Sequence, residues 1–172
     1  NGSGSSAMFH MNSSDSNSGG WNGSYMRKTL LGNSNTPAST LENSLMAALP
    51  SDLLAVMKTV TKYTDNTGAG SNSSGNVTAT ADYLFLLAEF EVFGTRYWAN
   101  QYEQNSQKQY DYYKAGNSRV AYNHSAVSTA VWWWLRSANY NNSNNFCDVN
   151  TDGSCNRYNA SYSAGLRPGF AV

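Results

Sequence analysis

Trp132-Trp133-Trp134-Leu135-Arg136-Ser137, followed almost at once by Asn139-Tyr140-Asn141-Asn142-Ser143-Asn144-Asn145, decides how this chain is read. The first block is apolar bulk. At the two-residue period of a strand, Trp132 and Trp134 share one face and Trp133 takes the other, so a strand is expected over 131–135. The second block specifies no element, because Asn is poor in helix and strand interiors alike. It continues through Asn150, Asn156, Arg157, Tyr158, Asn159, Ser161 and Tyr162, and closes on Gly165-Leu166-Arg167-Pro168-Gly169-Phe170. Tyr, Asn, Ser and Arg are the side chains of adaptable binding surfaces. The last quarter, about 132–172, therefore reads as a recognition surface held on a rigid frame.

Upstream signals are more ordinary. Residues 1–20 are rich in Ser, Asn and Gly and read as a flexible entry or a loosely held early strand around Ala7-Met8-Phe9. A short helix is expected in Trp21–Leu31. Ser39 with Glu42 three residues later makes a capping box, and Leu41, Leu45 and Leu49 form one stripe before Pro50, which predicts a second helix. Residues 54–63 alternate and read as a strand, 64–75 as a mobile low-complexity loop. Tyr83–Leu87 reads as a buried strand or a strand-to-helix passage, Tyr97–Lys114 as helix or loop. Leu166–Val172 reads as a short strand interrupted by Pro168, at an edge or beside a bulge.

At 172 residues the chain fits one domain spanning 1–172, with 40% hydrophobic and 13% aromatic content to supply a core. Only 13% of residues are charged and the formal net charge is zero, so no electrostatic footprint for nucleic acid or an anionic membrane is present. Solubility then rests on Asn, Ser, Thr and Gly, a composition that suits work outside the cell. The longest apolar runs are strand-sized, too short to span a bilayer as a helix. The 2 cysteines, Cys147 and Cys155, are too few for a disulfide scaffold; a local disulfide and two free thiols both remain open.

Several pieces together resemble a known pattern: Trp133-Trp134-Leu135-Arg136-Ser137, Asn144-Asn145-Phe146-Cys147, Val149-Asn150, Gly153 and Gly165-Leu166-Arg167-Pro168. Gly20-Trp21-Asn22-Gly23-Ser24-Tyr25-Met26-Arg27, Ala48-Leu49-Pro50 and Phe85-Leu86-Leu87-Ala88-Glu89 agree with it. The pattern is similar to the variable proteins of bacterial and phage diversity-generating retroelements. Ala138, where those proteins often have Pro, and Gly169 depart from it. The resemblance implies an α+β domain of C-type lectin-like fold, with two helices flanking small antiparallel sheets. It also implies a non-enzymatic face, on a phage tail fibre or a bacterial cell surface, that binds an external protein or glycan. Such retroelements mutate adenines, and Asn codons carry adenine at their first two positions. Replacement there reaches Tyr, Ser, Asp, Arg and Cys without a stop codon, which is the residue set of this tail.

The residues expected to contact ligand are Asn139, Tyr140, Asn142, Asn144, Asp148, Asn150, Asn156, Arg157, Tyr158, Asn159 and Tyr162, with the tyrosines as anchors and Arg157 able to pair with an acid. Asp148-Val149-Asn150-Thr151-Asp152-Gly153 begins like a calcium loop but has Asn159 where a bidentate Glu is required, so an Asx-rich turn is expected and no metal. The tryptophans, Arg136 and Arg167 read as frame. Glu89 and Glu91 are expected to anchor a loop or meet a surface cation. No catalytic group and no cofactor is expected. His10 and His124 stand alone, and no basic neighbour in sequence activates either cysteine. A carbohydrate-binding domain of fixed specificity, and a relative of formylglycine-generating oxidases using Cys147 and Cys155, are the competing readings.

Overall fold

A computed structural model describes residues 9–172, a mixed α+β arrangement of short helices and small antiparallel sheets. In chain order the elements are helix α1 (Gly20–Gly23), a π-helical turn at Met26–Leu30, helix α2 (Ser51–Val56), and strands β1 (Val60–Asp65), β2 (Val77–Asp82) and β3 (Phe85–Leu86). Helices α3 (Glu89–Phe93) and α4 (Asp111–Lys114) follow. The chain ends with β4 (Ala121–Asn123), β5 (Ala126–Val131), β6 (Trp133–Ala138), β7 (Asn145–Val149), β8 (Cys155–Asn159) and β9 (Pro168–Gly169). β6, β7 and β8 form a three-stranded sheet; β1–β2, β3–β9 and β4–β5 are two-stranded. Helical content is spread over segments of a few residues rather than gathered in two helices. None is long and apolar enough to cross a membrane among the described residues.

The tryptophan block behaves as its alternation requires, with one refinement. The strand expected over 131–135 divides at Trp132, where the chain passes from β5 to β6. Trp134 packs with Met11, Trp21, Met26 and Phe146 in one core, while Trp133 packs with Phe90, Val92, Leu135 and Val149 in another. Trp132 meets Trp134 edge to face, with ring centroids 5.0 Å apart. The buried indole N–H groups are paired: Trp133 donates to Arg119 O and Trp134 to Phe9 O, each at 2.9 Å. Three-stranded sheet and two cores thus hang on one strand.

Arg136 fixes that strand. Its side chain is wholly buried and donates from Nε to Thr64 Oγ1 (2.7 Å) and from Nη1 to Leu86 O (2.7 Å). Nη1 and Nη2 also grip both Glu91 oxygens, at 2.6 and 2.9 Å, the bidentate geometry that only a guanidinium offers. Burial works against ionising Glu91, but Arg136 and Lys62 outweigh it and hold the carboxyl below its ordinary range. So β6 is tied to β1, β3 and α3 at one point.

Four expectations need correction. The helix expected over 39–49 does not form: Asn43 sits at φ 63°, and Leu45 N and Met46 N bond Leu30 O and Leu31 O instead. Only a 3-10 turn at Met46–Ala48 remains of it. The strand expected from 54 begins at Val60, because Pro50 precedes a helix, α2, where its fixed φ suits a helix start. Loop 64–75 is held, with Asp65 Oδ1 accepting from Thr67 N and Gly68 N and Asn100 donating to Ser73 O. Residues 9–20 are anchored too, with Met11 and Asn17 fully buried; Ala7 and Met8 lie outside the described residues. Leu166–Val172 contains a strand as expected, but Pro168 belongs to it and pairs with Leu86 at an edge.

Because Arg136 faces a carboxylate that burial alone would discharge, Arg136→Met is expected to cost about 3–5 kcal/mol, the usual penalty of orphaning a buried charge. Arg136→Lys, which keeps charge but loses the fork, is expected to recover only part of it. Urea unfolding of the three proteins checks this; equal stability would remove the pair from its central place.

Candidate functional site

The β6–β7–β8 sheet carries five of the eleven expected contact residues, Asp148, Asn156, Arg157, Tyr158 and Asn159, and sorts its side chains by alternation. Phe146 pairs with Tyr158 and Asp148 with Asn156 on the Trp134 side; Cys147 pairs with Arg157 and Val149 with Cys155 on the Trp133 side. Phe146, Cys147, Val149 and Ala160 are buried and act as the tethers. Between them, Tyr158 (42% exposed) and Tyr162 (49%) rise to the surface, their rings 4.8 Å apart, and Tyr158 leans on Trp132 at 5.2 Å. Asn156 donates to Asn150 Oδ1 at 3.1 Å beside them. Trp132, Tyr158 and Tyr162 therefore form one connected aromatic series with amides at its side.

The loop between β6 and β7 is exposed but not loose. Asn142 Oδ1 accepts from Asn144 N (2.7 Å) and Asn139 Oδ1 from Asn141 N (3.0 Å), two Asx turns in succession. A clasp comes from far upstream. The Asn17 side chain donates Nδ2 to three carbonyls, Asn139 O (3.3 Å), Asn142 O (2.8 Å) and Asn145 O (2.8 Å). Its Oδ1 accepts from Ala69 N at 2.8 Å. Gly68, at φ +62°, leaves room for this clasp, since a Cβ there would lie 1.9 Å from Asn17 O. On the other side, Asp15 accepts from Asn159 Nδ2 at 3.0 Å and from Ser161 N at 3.3 Å. Neither Asn17 nor Asp15 was anticipated; an Asn among Ser and Gly carries no signal that it will be buried.

Two more side chains are set by Glu89, whose carboxylate accepts from the N–H groups of Tyr97 (2.7 Å), Trp98 (2.8 Å) and Ala99 (3.1 Å). This is the loop-anchoring role expected of it, though Glu89 and Glu91 lie on helix α3 rather than a strand, and Glu91 meets a buried cation. The anchored loop puts Trp98 under the Arg157 guanidinium at 3.7 Å and Arg96 over Tyr140 at 3.9 Å. Arg157 is thus stacked on an aromatic ring.

Nine of the expected residues reach the surface at least in part: Tyr140, Asn142, Asn144, Asn150, Asn156, Arg157, Tyr158, Asn159 and Tyr162. Two do not. Asn139 is 1% exposed and its backbone bridges Ala99, which makes it part of the frame. Asp148 is fully buried between Trp134 and Asn156 in the sheet, and neither carboxylate oxygen has a hydrogen-bond partner.

The Asx-rich turn expected in 148–153 is present at Asp152. Asp152 Oδ1 accepts from Ser154 N (2.9 Å) and Oγ (2.6 Å), and Gly153 turns the chain at φ +86°. Among the described residues, no group of three His, Cys, Asp or Glu could hold a metal ion. Both cysteines are free. Burial pushes both thiols up, Glu89 adds to it, and Cys155 lies 3.3 Å from Glu89 Oε2; neither is a ready thiolate. A cleft of about 570 Å³ opens beside Trp132, walled by Tyr122, His124, Leu166 and Arg167.

Asp148 gives this region a pH signature. Burial raises its carboxyl to about 7, with Arg157 opposing. The native state therefore holds its proton more tightly than the unfolded chain, and the stability Asp148 contributes is present below about 4 and lost as pH rises through about 7. Asp148→Asn abolishes that titration. The variant is expected to gain on the parent by up to ~4 kcal/mol between pH 4 and 8, measured by urea unfolding. A difference that stays flat with pH would contradict the assignment.

No curated protein and no solved structure matches the chain. A family model described as a domain of unknown function, DUF6273, matches residues 7–172, and the protein belongs to that family.

Proposed function

We propose that this chain is a non-enzymatic ligand-binding domain of C-type lectin type, whose tail is a surface diversified by retroelement mutagenesis. One observation carries the reading: blocks of buried and displayed residues follow one another along 139–162. Asn139, Phe146, Val149 and Ala160 are buried, while Asn142, Asn144, Tyr158 and Tyr162 are exposed on backbone held by hydrogen bonds at many points. Loops placed on a rigid scaffold are where recognition concentrates. Side chains there can change without disturbing a core. Tyr158 and Tyr162 supply contact area at low entropic cost, and Asn142, Asn150 and Asn156 supply adaptable hydrogen bonds.

The partner is an external protein or glycan, met at a phage virion or a bacterial cell surface. Weak charge on the displayed face favours contact by shape and hydrogen bonding over long-range steering. Raised thiols at Cys147 and Cys155 support binding over an oxidase-like reaction. A fixed-specificity carbohydrate-binding domain is the second reading, favoured by the connected rings of Trp132, Tyr158 and Tyr162, since sugars stack on such faces.

Sequencing the coding gene's 3′ end across a natural population separates the two. Diversification is expected to concentrate substitutions between Asn139 and Ser163, at adenines of Asn-type codons, and to spare Phe146, Val149 and Ala160. A tail as uniform as the rest of the gene would favour fixed specificity.

A further inference from the structure

Charge in this chain is balanced by count but not by place. Of its 11 acidic side chains six are buried, Asp65, Asp82, Glu89, Glu91, Glu103 and Asp148, whereas Arg136 alone is buried among its 11 lysines and arginines. Asp82 and Glu91 pair with Arg27, Lys62 and Arg136. The zero net charge read from the sequence therefore conceals an outer surface with a surplus of cations.

That surplus gathers around one segment, 92–99. Arg119 donates Nε to Val92 O (3.4 Å) and lies over Phe93 at 4.8 Å. Arg157 lies on Trp98 at 3.7 Å, and Arg96, within the segment, lies on Tyr140 at 3.9 Å. Arg167 covers Trp133 at 4.9 Å and reaches Arg119 O with Nη1 at 3.4 Å. Lys108 and Lys114 line a second cleft, of about 470 Å³, with Arg96, Gly94 and Thr95. None of these six cations forms an ion pair among the described residues. Rings, rather than acids, hold the four guanidinium groups, and a stacked guanidinium keeps its charge. Glu89 fixes the backbone beneath them by accepting from Tyr97, Trp98 and Ala99 N–H, so the cations ride on an ordered segment.

Few acids oppose them. Asp111 opens α4, and Asp152 precedes Gly153, which approaches Arg119; Asp15, Glu42 and Asp52 lie on other segments. Glu89 and Asp148 are enclosed behind the cations, so an outside partner meets positive charge first. Arginine in the company of tyrosine and tryptophan is the composition of protein–protein hot spots, and exposed Tyr97 and Tyr112 add apolar contact. Phe93, Trp98 and Tyr140 each carry an arginine on a face that a base or sugar would need for stacking. The chain's own exposed acids are spread over separate segments, so a second copy offers no matching patch.

We propose that the surface around 92–99 docks an acidic protein, whose aspartates and glutamates meet Arg96, Lys108, Lys114, Arg119, Arg157 and Arg167. Arg157 excepted, these residues lie outside 139–163, so docking here stands whether or not the tail is diversified.

The test is fluorescence anisotropy of the intact chain with a labelled peptide of four Asp-Glu-Phe repeats, against the same peptide with Asn and Gln replacing the acids. A nine-nucleotide oligothymidylate and an octamer of galacturonate, matched to the acidic peptide in negative charge, complete the set. The acidic peptide is expected to bind roughly tenfold or more tighter than the neutral one and severalfold tighter than the other two polyanions. Its affinity is expected to fall about tenfold between about 0.02 and 0.15 M salt. Lys108→Gln/Lys114→Gln is expected to weaken it severalfold and Arg119→Gln/Arg157→Gln roughly tenfold. Lys28→Gln/Lys58→Gln, which removes exposed cations on other segments, is expected to leave it within about twofold. Lys108 and Lys114 are exposed, so their replacement leaves the core intact. Equal binding of the acidic and neutral peptides, or equal loss in the Lys28/Lys58 variant, would overturn the surface. Tighter binding of the oligothymidylate or the galacturonate would overturn the protein partner.

Discussion

The buried ion pair between Arg136 and Glu91 dictates where the principal elements meet. A guanidinium and a carboxylate removed from water are tolerable only when matched and fully hydrogen-bonded. Here Thr64, Leu86, Ala88 and Lys62 complete the set. Because the fork has one geometry, strand β6 has one position relative to β1, β3 and α3. That strand runs directly into Asn139 and the displayed loop, so the ion pair sets the base from which the tail departs.

From that base a second set of constraints holds the tail in shape. Asn17 gathers three carbonyls of the β6–β7 loop, Glu89 gathers three N–H groups of the loop carrying Trp98, and Asp15 holds the segment after β8. Asn17 acts on backbone alone and Glu89 on three backbone N–H groups, so neither depends on the identity of the displayed side chains, whereas Asp15 also holds the Asn159 and Ser161 side chains. A surface ordered in advance loses less conformational entropy on binding. The Asn17 clasp is separate from the displayed side chains, while Asn142 also holds its own loop by accepting from Asn144 N.

How much of this was legible depends on what each residue signals. Alternation in Trp132–Trp134 placed bulk on both faces of one strand, and the structure buries those faces in two separate cores. The passage Tyr83–Leu87 was legible as a continuous apolar run, and it holds β3 and leads into α3. The stripe Leu41, Leu45 and Leu49 misled, because a helical period says nothing about a competing partner, and Leu45 and Met46 found theirs in Leu30 and Leu31. Pro50 was read as an end when it is also a beginning. Amides were the least legible of all: Asn17, Asn139 and Asn142 look alike in the sequence, yet one is a clasp, one is frame and one is displayed. Asp148 looked like a surface acid, and only the pairing of β7 with β6 and β8 shows that it is enclosed.

The central claim is that frame and face are energetically separate. It is tested most directly by randomising two sets of positions to all residues and scoring proteolysis-resistant display of the chain. One set is Asn142, Asn144, Asn150, Asn156, Tyr158 and Tyr162; the other is Asn17, Arg136, Asn139, Phe146, Val149 and Ala160. The account predicts that most members of the first library fold and few of the second do. Equal survival of the two libraries would contradict it.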